Sequence, residues 1–148
     1  MKAKFLSVCF AAMFVLMAGV NFCQAQVSSV PILKNSVVVA MALEEKGAQL
    51  LHMNISDLEK GGASTYTARL ASGSSYVVVA VGDDERVQDL DLQVYDENDN
   101  LVEEDNDSKN IAVAQVAPKW TGEFKCKVSG YRMSHDDAFY AILIFRVD

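Results

Sequence analysis

Cysteine is scarce in this 148-residue chain, which contains three: Cys9, Cys23 and Cys126. The first two lie in a segment that is expected to be removed on export, so one thiol remains. No intramolecular disulfide can then form, and a hydrophobic core must hold the fold together. Cys126 falls on the inward face of a predicted strand, where a buried thiol without a neighbouring base is expected to be inert.

Catalytic and metal-binding motifs are also missing from the sequence. It has no Gly-x-Ser-x-Gly, no phosphate-binding loop and no dinucleotide fingerprint. Its two histidines, His52 and His135, are too far apart in sequence for a zinc signature. We therefore predict that the protein is not an enzyme; a hydrolase without a recognisable motif is the second alternative.

Long apolar runs are lacking as well. The N-terminal apolar run, residues 5–20, has 16 residues, fewer than the roughly 20 that cross a bilayer as a helix. Lys2 and Lys4 precede it, and Ala25 ends a Cys-x-Ala sequence of the kind that signal peptidase cuts. We predict a signal peptide over residues 1–25, no stable membrane insertion after cleavage, and a periplasmic or secreted product.

Positive charge is in short supply. The chain has 13 Lys and Arg against 20 Asp and Glu, a formal charge of −7. Loss of Lys2 and Lys4 leaves eleven basic residues and makes the formal charge −9. This balance disfavours nucleic acid and anionic membrane surfaces as partners. It permits cations or basic partners, and the expected partner is an unidentified protein or glycan.

Alternation of apolar and polar residues dominates the chain after its first third. In residues 89–94 the leucines and valine are predicted to face inward and the aspartates outward. Residues 76–81 and 139–145 are apolar throughout, as central strands are. Turn signals leave eight predicted strands, near 49–55, 64–70, 75–81, 89–95, 100–104, 111–116, 121–129 and 138–147. This spacing predicts an all-β domain over residues 48–148, a jelly-roll-like antiparallel β-sandwich.

Residues 26–47 are predicted to form a leader that contains one short helix. Asn35 and Ser36 can cap a helix over residues 37–46, because their side chains accept bonds from free backbone N–H groups. Gly47 can end that helix in the left-handed conformation. Three successive valines are β-branched, which leaves a strand as the competing interpretation.

Four segments, taken in order, resemble bacterial pre-peptidase C-terminal (PPC) domains. Residues 70–83 are similar to their L-x-x-G-x-x-Y entry strand, and residues 89–98 to their D-L-D-L-x-V-Y-D strand and turn. Residues 118–124 resemble their P-x-x-T/S-G-x-Y/F step, and residues 139–144 their final apolar strand. The resemblance implies a jelly-roll-like sandwich that serves as an accessory or matrix-binding module, here in a stand-alone exported version. It brings no catalytic residue with it.

Carboxylates and amides cluster around the alternating 89–94 segment. Calcium takes about six to eight oxygen ligands, which such loops can supply. Residues 96–100 superficially match an EF-hand start, but Leu101 stands at the glycine position and Asp107 at the final glutamate position. The calcium candidates are Asp83, Asp84, Asp89, Asp91, Asp96, Asn98, Asp105 and Asp107. A solvated acidic face, with no cofactor, is the alternative interpretation.

Taken together, these patterns predict a non-enzymatic, exported binding or accessory module of the bacterial cell envelope. A Ca²⁺-stabilised carbohydrate- or matrix-binding domain is the first alternative. A binding module is expected to expose an aromatic patch on a sheet face or edge, whereas a hydrolase is expected to converge titratable groups in a pocket. Trp120, the single tryptophan, is expected to cover an open end of the sandwich.

Overall fold

The computed structural model describes residues 28–148, which form one helix and eight strands. The elements are α1 (Val30–Glu44), β1 (Gln49–Glu59), β2 (Ala63–Leu70), β3 (Tyr76–Gly82), β4 (Val87–Tyr95), β5 (Leu101–Asp105), β6 (Ile111–Val116), β7 (Gly122–Met133) and β8 (Asp137–Arg146). All eight predicted strands are present, which confirms the predicted all-β class. The predicted signal peptide and its cleavage site lie outside the described residues.

Two four-stranded antiparallel sheets make up the sandwich. Sheet A has the strand order β1-β8-β3-β6, and sheet B has the order β2-β7-β4-β5. The chain passes from one sheet to the other after every strand except β4, which pairs with β5. This order is that of a jelly roll. It leaves β1 and β6 as the edges of sheet A, and β2 and β5 as the edges of sheet B.

The inward faces of the two sheets share one hydrophobic core. Leu90, Leu92 and Val94 of β4 are fully buried in it, as are Phe124 and Cys126 of β7. These residues alternate with polar ones along each strand, so the inward faces predicted from the period of two are confirmed.

A second apolar cluster lies between the outer face of sheet A and α1. Ile32 and Ala40 of the helix pack there with Val79, Leu143 and Phe145 of the two central strands. Because β3 and β8 are covered on both faces, apolar residues are required at nearly every position. The predicted assignment of these two runs to central strands is confirmed.

The helix differs from the prediction at its start. It begins at Val30, seven residues before the predicted start, so most of the predicted loose leader is helical. Pro31 lies in the first turn, which suits its fixed φ. Neither predicted cap acts as one, because Ser36 Oγ donates to the Ile32 carbonyl (2.7 Å) and Asn35 Nδ2 donates to Asp84 (2.9 Å).

The helix ends near Gly47, the glycine that the sequence predicted would end it. Gly47 has a φ of 90°, in the left-handed region that glycine enters at no steric cost. Its N–H donates to the Glu44 carbonyl at 2.9 Å, which satisfies one of the last helical acceptors. Among the described residues, no helix is long and apolar enough to cross a membrane.

Sheet B is irregular at Asp89. The register of β4 against β7 shifts on both sides of this residue, as at a β-bulge. Leu90 N donates to the Lys109 carbonyl (2.8 Å), which places the β5–β6 loop against β4 at this point. Asp89 is only 5 % exposed, so the prediction that it faces solvent is wrong. The alternation of apolar and polar residues in β4 could not predict that the β5–β6 loop would lie against this strand.

Candidate binding groove

The edge strands β5 and β6, one from each sheet, lie beside each other along one side of the sandwich. Between them runs a groove of about 520 Å³. Its lining comes from the two edges, from the β4–β5 turn and from the β6–β7 connection: Asp96, Asn100, Leu101, Val102, Glu103, Gln115, Ala117, Pro118, Lys119, Trp120 and Phe124. The groove therefore combines apolar side chains with a few polar groups, as ligand sites do.

Trp120 forms the wall of the groove on the β6–β7 connection. Its indole stacks on the buried ring of Phe124, with centroids 6.1 Å apart and an angle of 28° between the planes. Ser72 N donates to Thr121 Oγ1 (3.0 Å), which ties the connection to the β2–β3 loop. Trp120 is nevertheless 39 % exposed and lines the groove, so the core holds the residue in place while part of it stays accessible.

Gly122 allows β7 to begin this close to the indole. A Cβ at this position would lie 3.2 Å from both Cδ1 and Nε1 of Trp120, and 3.1 Å from Oε2 of Glu97. Contacts this short require the indole or the Glu97 side chain to give by a few tenths of an ångström if a larger residue replaces the glycine. The same distances place the Glu97 carboxylate at the tryptophan end of the groove.

Asp96 builds the turn at one end of the groove. Its Oδ1 accepts hydrogen bonds from the backbone N–H groups of Asn98 and Asn100, both at 2.8 Å, and its Oδ2 accepts one from Asn100 Nδ2 at 2.9 Å. The bond from the Asn100 side chain, above all, lowers the pKa of Asp96, because these donors favour the charged form. Asp96 is thus a structural carboxylate of its own turn.

The other calcium candidates lie elsewhere on the sandwich. Asp83 and Asp84 precede β4 while Asp96 follows it, and this nine-residue strand is about 30 Å long at the usual rise per residue. Asp84 accepts bonds from Asn35 and Asn110, and Asp83 from the N–H of Glu85. The β3–β4 candidates therefore cannot share an ion with those of the β4–β5 turn.

Asp105 and Asp107 lie at the end of β5. Asp105 Oδ2 accepts from Val113 N (2.7 Å) and its Oδ1 from Asp107 N (3.1 Å), while Asp107 pairs with Lys109. Over residues 28–148, no group of three or more His, Cys, Asp or Glu side chains is arranged to hold a metal ion. A calcium site would need backbone and amide oxygens in addition, and it stays a prediction. A larger rise in melting temperature with CaCl₂ than with NaCl at matched ionic strength would support it.

The ionisation of Asp91 opposes folding. Partial burial, followed by the charges of Asp89, Asp105 and Glu104, raises its pKa. The structure thus brings three of the predicted ligands, Asp89, Asp91 and Asp105, near enough for their charges to repel.

The opposite pKa shifts of Asp91 and Asp96 predict opposite effects of asparagine. Ionised Asp91 costs stability above its raised folded-state pKa, so Asp91→Asn is expected to raise the free energy of unfolding at pH 7. Ionised Asp96 contributes stability above the ordinary value of 3.8, and this is lost as pH falls through its lowered pKa. Asp96→Asn is therefore expected to lower the free energy of unfolding at pH 7. Urea denaturation at pH 7 and at pH 3 measures both variants.

Both differences from the wild type are expected to shrink as the pH falls, earlier for Asp91, whose pKa is raised, and later for Asp96, whose pKa is lowered. Stability changes of the same sign at pH 7 would contradict the assigned causes of the two shifts.

Cys126 and the two histidines lie apart from the groove lining. Cys126 is fully buried, and desolvation raises the pKa of its thiol to about 12. His52 lies near Tyr66, with ring centroids 6.4 Å apart, and His135 Nδ1 contacts the Ser134 hydroxyl at 3.0 Å. Among the hydrogen bonds of the described residues, neither histidine contacts the thiol of Cys126.

The sequence missed most of the groove. Trp120 stood out as the single tryptophan, but the exposed Leu101 and Val102 of β5 and the Gln115 edge of β6 did not. Their only signal is that β5 is short and carries exposed apolar residues next to carboxylates. Which strands end a sheet depends on long-range pairing, so local pattern cannot identify them.

Comparison with known proteins defines the fold of the chain. No protein-family model and no curated protein matches the sequence. Among solved structures, the chain is similar to the pre-peptidase C-terminal domain of a collagenase from Bacillus anthracis. The TM-score is 0.51 and the identity 17 %, over 65 % of this chain and 90 % of that domain. The sandwich has a PPC-like fold.

Two further structures are similar at lower TM-scores. PliG, a periplasmic inhibitor of g-type lysozyme from Aeromonas hydrophila, gives 0.49 at 15 % identity over 69 % of this chain and 90 % of that one. The Yersinia pseudotuberculosis-derived mitogen gives 0.47 at 10 % identity over 63 % and 82 %. The resemblance to PPC domains that the sequence predicted is confirmed at the level of the fold.

Proposed function

We propose that this chain is a non-enzymatic, exported binding or accessory module of the bacterial cell envelope, and that its ligand binds in the β5–β6 groove. The observation that carries this proposal is the partly exposed Trp120, stacked on the core at a sheet edge. Aromatic surface exposed at a sheet edge is expected of a binding module, and one side chain, Trp120, supplies it in this groove. The PPC-like fold supports an accessory role, and the predicted signal peptide supports export.

The indole is suited to binding because it is large, rigid and amphipathic. Buried contact with Phe124 fixes its position before a ligand arrives, so little conformational entropy is lost on binding. Tryptophan is also the residue type most enriched among those that dominate binding energy. Leu101 and Val102 extend the apolar surface from β5.

A saccharide ligand is the second candidate function. Asn100, Glu103 and Gln115 line the same groove as Trp120, and such amides and carboxylates can bond sugar hydroxyls while the indole covers an apolar ring face. This arrangement supports carbohydrate binding, which belongs to the predicted alternative of a Ca²⁺-stabilised carbohydrate- or matrix-binding domain. The calcium requirement of that alternative rests on the sequence alone.

Substitution of Trp120 tests the proposal. Trp120→Ala is expected to weaken binding of the purified domain to bacterial envelope fractions and purified peptidoglycan at least tenfold, in line with a central tryptophan anchor. Tyr131→Ala is the matched control, because Tyr131 is 79 % exposed near the far end of β7. Binding is measured by co-sedimentation, and by intrinsic fluorescence for variants that keep the single tryptophan.

Both variants must show the wild-type circular dichroism spectrum and melting temperature before binding is compared. Equal binding of Trp120→Ala and Tyr131→Ala to the envelope fractions and to peptidoglycan would show that the groove is not the binding site.

A further inference from the structure

The free edge of β6 turns alternate backbone groups toward the groove. Gly82 N donates to the Asn110 carbonyl (2.7 Å), which makes Gly82 and Asn110 a hydrogen-bonded pair between the β3 and β6 segments. Every second residue from Asn110 along β6, that is each even-numbered residue, therefore points its backbone N–H and C=O toward β3. Val113 N instead donates to Asp105 Oδ2 at 2.7 Å, so its N–H points away from β3. Backbone groups two residues apart on a strand point the same way. The N–H and C=O of Gln115 therefore also point away from β3.

Protection of this edge is incomplete. A core-side carboxylate on a neighbouring edge strand is a known device against unwanted strand pairing, and Asp105 covers the Val113 amide in this way. Among the hydrogen bonds of residues 28–148, none engages the outward amide of Gln115 or the amide of Ala117, which directly follows the end of β6. The unprotected stretch lies in the groove, where both residues are exposed and contribute to the lining.

Side chains around this stretch suit an extended ligand. Leu101 is 48 % exposed on the β5 side, and Trp120 closes the groove beyond the end of β6. An extended peptide that pairs with Gln115 would present every second side chain to these apolar groups, as in other cases of strand addition.

The charge of the groove selects among such peptides. Glu103 lines the groove from β5, and the Glu97 carboxylate lies beside the indole of Trp120. Lys119 is the one basic residue among the lining residues. The next carboxylate of β5, Glu104, is exposed as well. The predicted mature chain has eleven basic and 20 acidic residues, so the groove lies in a negative field that attracts cationic segments.

We propose that the ligand of the groove is an extended, basic segment of a partner protein, which pairs with the free edge of β6 at Gln115, passes Ala117, and places its cationic side chains near Glu103. This inference rests on the proposed function, because it names the ligand class of the same groove. A glycan, an acidic peptide and a second copy of this chain are the outcomes that would overturn it.

The probe is a capped peptide of seven alternating lysine and valine residues, titrated into the ¹⁵N-labelled domain. The amide signals of Gln115 and Ala117 and the Trp120 indole signal are expected to shift together. A glutamate–valine peptide of equal length is expected to shift none of them. A lysine–valine peptide with every backbone amide N-methylated is expected to bind at least fivefold more weakly, because neither of its edges can donate the hydrogen bonds of strand pairing.

Gln115→Pro tests the backbone contact from the protein side. Proline removes the outward N–H, leaves the ladder to β3 intact, and is tolerated in edge strands. Affinity for the lysine–valine peptide is expected to fall about tenfold in Gln115→Pro. Gln115→Ala keeps the backbone N–H and measures the contribution of the side chain alone, and its loss of affinity is expected to be smaller than that of Gln115→Pro.

Glu103→Gln tests the charge. The substitution is expected to lower the affinity for the lysine–valine peptide by roughly two- to fivefold, as for loss of an exposed ion pair. The control Glu59→Gln, on the opposite edge in β1, is expected to leave affinity unchanged. If Gln115→Pro fails to fold, the Glu103→Gln variant and the N-methylated peptide still test the strand-pairing inference.

Three results would overturn the inference. One is equal binding of the N-methylated or glutamate peptide. Another is a chitin oligosaccharide that shifts these signals where the lysine–valine peptide does not. The third is a shift of the Gln115 signal with protein concentration alone, which would indicate pairing between copies. If Trp120→Ala abolishes envelope binding while Gln115→Pro retains it, the proposed function stands and the strand-pairing inference fails.

Discussion

Replacing Leu92 with alanine is expected to lower the free energy of unfolding by about 2–5 kcal/mol, the range for a buried leucine truncated in a core. Leu92 is fully buried on the central strand β4, paired with Val128 on one side and Asp105 on the other. Close packing on three sides prevents the surroundings from collapsing into the space left behind. Urea denaturation followed by circular dichroism at constant pH measures the loss.

Leu101→Ala is the matched control, because it makes the same substitution at an exposed position on the adjacent strand. Its cost is expected to stay within about 0.5 kcal/mol, as for most surface changes. Similar losses in the two variants would show that the inward register of β4 is wrong.

Replacing Phe124 with alanine is expected to cost about 3–5 kcal/mol and to disturb the groove at the same time. The Phe124 ring is buried in the core and is also the surface on which Trp120 stacks. Its removal takes away both the core volume and the support of the indole. Denaturation gives the stability change, and the emission maximum of the single tryptophan reports the loss of stacking.

Phe124→Leu separates the two effects. Leucine keeps an apolar side chain in the core, so the stability loss is expected to be smaller, while the aromatic stack is still lost. An emission spectrum that is unchanged in both variants would indicate that Phe124 does not position Trp120.

The strands could be predicted from the sequence because each one carries its own local signal. In β4 the buried Leu90, Leu92 and Val94 alternate with polar residues, and the continuous apolar runs of β3 and β8 identify strands covered on both faces. Turn residues then separate one strand from the next. These signals depend on which face of a strand is buried, and the period of two records that directly.

The start of the helix could not be predicted in the same way. The polar pair Asn35–Ser36 predicted a late start and the β-branched valines left a strand open as the alternative, but packing of Ile32 and Ala40 on sheet A outweighs those propensities. Burial of Asp89 has a similar cause, since it lies at an irregularity of β4 where the next residue bonds to the β5–β6 loop, a segment distant in sequence. The groove depends on which strands become edges, and strand order is fixed by pairing across the whole chain.

The position of β8 in sheet A has a consequence for how this domain acquires its structure. β8 lies between β1 and β3, and Arg146 Nη2 donates to Gln49 Oε1 at 2.6 Å across 97 residues of sequence. Until β8 has been synthesised and is free to pair, neither β1 nor that side of β3 has a partner. Pairing of such distant segments is slow, typically milliseconds to seconds. During this interval the apolar β3 strand is open to proteases and to other chains, so the period of greatest risk for this protein falls before its last strand is in place.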